Sequence, residues 1–101
     1  MNRARYISAQ PDMADGRVYE VDPPMTWDED WRREDDNPRR HARYIIVSAV
    51  NAYSGPETYI FPAERTGDVF GVADWSELDG SFRGALDHEQ ALRNAGYEVE
   101  P

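Results

Sequence analysis

The stretch RYIIVSAVN, residues 43–51, constrains this chain most, because its apolar residues fall on both alternations. In an extended conformation Tyr44, Ile46 and Val50 point one way, and Ile45, Val47 and Ala49 the other. A strand that is apolar on both faces has to be covered on both, which places it near the middle of a sheet. Ser54, Gly55 and Pro56 follow with turn chemistry. ETYIF, residues 57–61, reads as a second strand, which Pro62 either ends or forces to an edge. After a further turn in ERTGD (64–68), VFGV (69–72) reads as a short third strand. Three successive strands with short connections predict an antiparallel meander.

Local signals continue towards residue 100. Asp87 is a good helix N-cap and Gln90 occupies N3, with Leu86 placed to pack on Ala91 as a hydrophobic staple. Gly96 falls at C′ and Tyr97 at C″, where it can contact Leu92. These signals predict a helix over 88–95, too short to persist without docking on the sheet. YEVE (97–100) alternates as a last strand with Tyr97 and Val99 inward. Asp74 and Glu77 repeat the cap pattern and predict one helical turn over 75–79, stopped by Gly80.

Composition changes near residue 42. The expected organisation is therefore a charged arm over 1–41 and a packed domain over 42–101. Within the arm, RARYIS and RVYEV flank ADG and have the pattern of a hairpin, and Pro23-Pro24 makes a stiff break. The expected fold class is α+β. It comprises an antiparallel sheet of three to four strands, a docked C-terminal helix, and a short acidic helix over 27–36 in the arm.

That acidic helix is read from TWDEDWRREDDNPRR, residues 26–40. Thr26 and Glu29 form a capping box, and Trp27 and Trp31 would share one helix face. Asp28 before Arg32, and Glu29 before Arg33, each add about 0.2–0.5 kcal/mol. Glu34, Asp35 and Asp36 oppose this at the negative end of the helix dipole, and Asn37-Pro38 terminates the segment. The two indoles either complete a small core or anchor a partner, since Trp is enriched at binding hot spots. The candidate partner-binding residues are Trp27, Trp31, Asp28, Glu29, Asp30, Glu34, Asp35 and Asp36.

The totals narrow the chemistry. With twenty acidic residues against eleven basic ones, the net charge is −9. Free nucleic acid and anionic membranes are poor partners for such a surface, whereas a protein with a basic surface is favoured. There is no cysteine and no lysine, so thiol, Cys-zinc, Schiff-base and Walker-lysine chemistries are excluded. DHEQAL begins like a zinc-protease helix, but Leu92 stands where the second histidine belongs, and His88 reads as an exposed first-turn residue. Asp28 could open a calcium loop, but arginines stand at its sixth and twelfth positions, Arg33 and Arg39. No enzyme activity, cofactor or metal is expected. RRHAR (39–43) reads either as a phosphate or acidic-peptide contact, or as a solvated strand entry balanced by Glu34, Asp35 and Asp36. The beginning of the chain lacks the apolar run of a signal peptide, and the apolar run at 44–50 is too short to span a bilayer. A soluble, cytoplasmic protein is expected, and edge strands beside Pro62 leave room for a symmetric dimer.

The phrases ETYIFPA, DWSELDGSFRG, DHEQAL and AGYEV resemble those of small accessory proteins encoded by bacteriophages of actinobacteria. The resemblance covers about half the chain, the C-terminal part, and brings no catalytic residue with it. It implies an accessory protein acting in a bacterial host cytoplasm, and the absence of lysine agrees with a GC-rich source. The leading expectation is a non-enzymatic module that binds a host or phage protein. The alternatives are a nucleic-acid mimic that blocks a DNA-binding protein, a small virion structural protein, and an enzyme of unknown reaction.

Overall fold

The computed structural model describes residues 2–28, 39–75 and 77–100, with backbone alone at 27, 28, 39 and 40. The chain runs β1 (Arg3–Gln10), β2 (Gly16–Asp28), β3 (Arg39–Ala52), β4 (Gly55–Thr66), β5 (Val69–Val72), β6 (Phe82–Arg83), α1 (His88–Asn94) and β7 (Glu98–Val99). These form one sheet in the order β5-β4-β3-β2-β1-β7, with β6 also on β4. All pairings are antiparallel except β1 with β7. The meander β3–β4–β5 stands as expected. The sheet, however, has seven strands among the described residues instead of three to four.

The additional strands come mainly from the region expected to be an arm. β1 and β2 pair across the ADG turn, and β2 pairs along β3. They supply Ala4, Val18, Tyr19, Val21 and Met25 to the buried core. The sheet is thus continuous across residue 42. The acidic helix expected from residue 27 does not begin there, because Trp27 and Asp28 pair as strand with Arg40 and Arg39. The rest of that expected helix, 29–36, lies outside the described residues.

β3 is buried on both faces. Ile45 and Val47 belong to a cluster with Tyr19, Val21, Ile60, Leu92 and Tyr97, covered by α1. Ile46 faces the other way, with Val18 and Ala63, flanked by Ile7, Met13, Phe70 and Val72. This second side is closed by curvature of the sheet itself. The Gln10 side chain on β1 donates to the Phe70 carbonyl on β5 at 3.0 Å, although three strands separate them in the sheet. Ser48 Oγ donates to the Ala14 carbonyl at 2.7 Å and draws the β1–β2 turn over the same face.

Pro62 does not end β4, which continues to Thr66, but it does occupy a stretch whose outer side pairs with no strand, the edge position expected as the alternative. Pro62 pairs with Ile45, but its carbonyl points away from β3 and accepts from Ala73 N at 2.8 Å. Its missing N–H therefore falls in the interval between β5 and β6, where no ladder bond to β3 is lost. The segment 73–81 satisfies this edge. Leu78 N donates to the Ile60 carbonyl at 2.8 Å, and Ile60 N donates to Ser81 Oγ at 2.8 Å. The helical turn expected over 75–79 is absent among its described residues, because the backbone there bonds to β4.

α1 carries the predicted caps. Asp87 accepts from Gln90 N at 3.0 Å. Gly96 has φ +96°, its N–H reaching Arg93 O at 2.9 Å while Tyr97 N reaches Leu92 O at 3.0 Å, the bonds of a Schellman ending. Two details differ from expectation. Leu86, expected to pack on Ala91, is about half exposed, and His88, expected to be exposed, is buried at 5 % exposure. The first turn of α1 docks against the β1–β2 turn, where His88 Nε2 donates to the Asp15 carbonyl at 2.7 Å.

Gly80 fixes the approach of α1. Its φ is +106°, and an added Cβ would lie 2.5 Å from Ala91 O and 2.8 Å from Ile60 Cδ1. Gly80→Ala is expected to cost about 3 kcal/mol or more by combining backbone strain with overpacking. Gly67→Ala, at φ +64° in open space, is expected to cost only about 1–2 kcal/mol. Urea unfolding of the two variants beside the parent checks the difference.

Candidate functional site

The segment that carries the predicted partner-binding residues emerges between the two longest strands. Trp27 and Asp28 close β2 opposite Arg40 and Arg39. Glu29, Asp30, Trp31, Glu34, Asp35 and Asp36 lie outside the described residues. The pairing of Asp28 with Arg39 holds the two ends of the connection 29–38 about 5 Å apart. Trp27 is in a strand, so it does not share a helix face with Trp31.

At the base of this extension β2 is interrupted. Between the pairs Glu20↔Tyr44 and Met25↔Ala42, residues 21–24 of β2 lie opposite the single residue Arg43 of β3. This bulge contains the cis Asp22–Pro23 bond and opens a groove of about 490 Å³. Arg3, Arg5, Glu20, Asp22, Arg43 and Glu100 line it. Glu20 is the organising group. Its Oε1 accepts from Nη2 of Arg5, and its Oε2 accepts from Nε of Arg43 at 2.8 Å. The Glu20 side chain is 17 % exposed, whereas those of Arg5 and Arg43 are 60 % and 70 % exposed. The bond from Arg5 is the main cause that holds the Glu20 carboxyl below its usual range; Arg43 adds to it and desolvation opposes it. The same bond raises the Arg5 guanidinium. Arg3 lies 3.9 Å from Glu100, a looser contact at the rim.

A second cluster lies along β4. Glu57 is buried and accepts from Tyr59 OH, from Arg83 Nε at 2.9 Å and from Ser54 Oγ at 3.4 Å. The bond to Glu57 is the largest cause that raises the Tyr59 phenol above its ordinary value. The row continues from Tyr59 to Phe61 with ring centroids 6.0 Å apart, and from Phe61 to Trp75 at 5.4 Å. Trp75 is 69 % exposed. A buried carboxylate with three donors anchors this face, and its end offers a largely uncovered indole.

Sequence reading missed both clusters. Residues 57, 59 and 61 share a strand face by simple alternation, so that row was open to recognition. The Glu20 triad joins residues 15 and 23 positions apart, which no local spacing announces. Of the basic run 39–43, Arg43 reaches the groove. Among the described residues, no group of three His, Cys, Asp or Glu is arranged to hold a metal ion. Among the described residues no helix is long and apolar enough to cross a membrane.

Glu20 gives a pH signature. Its folded pKa is depressed, so its contribution to stability is fully present above the unfolded value, about 4.3. That contribution is lost as pH falls through the folded value. Glu20→Gln lacks it. The stability gap between parent and variant, followed by urea titration, is expected to narrow as pH is lowered from about 6 to about 3. No family model, curated protein or solved structure matches this chain.

Proposed function

We propose that this chain is a non-enzymatic protein-binding module whose partner carries a basic surface. The observation that carries this reading is the pairing of Asp28 with Arg39. It sets Trp27 and Asp28, at the end of β2, beside the start of β3, and the sequence that joins the two strands carries Trp31 and the remaining acids at 29–36. An aromatic pair within concentrated carboxylates suits a binding mode in which charge guides encounter and rings supply the buried contact. The net charge of −9 favours a basic partner at longer range. The exposed Trp75 adds a further aromatic contact on the opened β4 face. The resemblance to actinobacteriophage accessory proteins supports a host or phage protein as the partner, met in the bacterial cytoplasm.

The experiment is affinity capture from an actinobacterial lysate with the intact chain and with a D30N/E34Q/D35N/D36N variant. Deleting residues 1–40 is unsuitable, because it removes β1 and β2 with the core residues Val18, Tyr19 and Val21. The expected result is a protein retained at about 50 mM salt and released by about 500 mM. Its recovery on the neutralised variant should be about tenfold lower. Equal recovery on both chains removes the segment as the binding element. Displacement of the captured protein by duplex DNA would identify nucleic-acid mimicry instead.

A further inference from the structure

We propose that the groove at the β2 bulge is an oxoanion-binding site, in which Arg5 and Arg43, fixed by Glu20, clamp a carboxylate or phosphate group of a small molecule. The site is separate from the segment 26–40 and does not depend on the partner reading.

A guanidinium carries five N–H donors in a rigid fork. Glu20 uses one nitrogen of each arginine, Nη2 of Arg5 and Nε of Arg43. The other donors belong to side chains that are 60 % and 70 % exposed and line the groove. The shared carboxylate restrains both side chains before any ligand arrives, which reduces the rotamer entropy that binding would otherwise remove. Arg5 and Arg43 together exceed Glu20 by one positive charge, while the lining as a whole, with Arg3 against Asp22 and Glu100, is neutral on a chain of net −9. Arginine pairs with planar carboxylates and with phosphates through parallel hydrogen bonds, so both oxoanions fit the clamp. The volume, about 490 Å³, lies within the usual range of small-ligand sites. Asp22 and Glu100 line the same groove, so recognition rests on the directed hydrogen bonds of the two guanidinium groups rather than on net charge.

The intact chain, labelled with nitrogen-15, is titrated at constant ionic strength with inorganic phosphate and, separately, with glutarate. Saturable shifts confined to residues of the groove are expected in the millimolar range for at least one of them. Response to phosphate alone assigns a phosphorylated ligand; response to glutarate alone assigns a carboxylated one. Arg5→Gln and Arg43→Gln are each expected to weaken binding about tenfold or more. Arg93→Gln removes the same charge from the exposed face of α1 and is expected to leave binding unchanged. The amide spectrum of each variant reports whether the fold is kept. No saturable shift with either anion up to about 50 mM overturns the proposal, as does equal weakening by Arg93→Gln.

Discussion

The structure depends on having to cover β3 from both sides. Ile45 and Val47 on one face and Ile46 on the other are fully buried. Each such side chain is worth about 1.5–3 kcal/mol when removed from water, so leaving either face open would forfeit a large part of a small domain's stability. The two covers are built differently. α1, Tyr97 and Leu78 close one face. Curvature closes the other, bringing β1 and the β1–β2 turn towards β5. This is why residues 1–28 cannot act as an appendage: Val18 lies across from Ile46, and Tyr19 from Ile45.

What was legible in the sequence was encoded locally. Asp87 and Gly96 fix the ends of α1 through bonds to near neighbours. The double alternation of 44–50 identifies the central strand without reference to anything distant. The β1–β2 hairpin was legible around ADG, but its place in the main sheet was obscure, because most side chains of β1 are exposed or half-buried and Ala4 alone is fully covered. Its role comes from its backbone, which composition does not reveal. The cap pattern around Trp75 lost to a stronger demand, the unpaired edge of β4 beside Pro62. At Trp27 and Asp28, helix signals worth a few tenths of a kcal/mol each yield to continued pairing with β3. His88 reads as exposed until the turn that receives it is known. The candidate groove was hidden because its three groups come from three strands, Arg5 opposite Glu20 in the β1–β2 register and Arg43 opposite the β2 bulge.

The segment 73–81 serves two ends at once. It supplies the donors and acceptors that seal β4, and it sets Trp75 edge-on against Phe61 with most of the indole uncovered. Gly80 then lets α1 approach close behind it. Edge satisfaction, aromatic display and helix docking are therefore coupled within one short stretch of chain.

The parallel pairing of β1 with β7 joins Arg3 to Glu98 and Ala4 to Val99. During translation, which proceeds at about 5–20 residues per second, β2 to β6 and α1 are all made between β1 and the strand that occupies its outer side. Until residues 97–99 have left the ribosome, nascent β1 can pair only with β2, and its other rim is open to a neighbouring nascent chain.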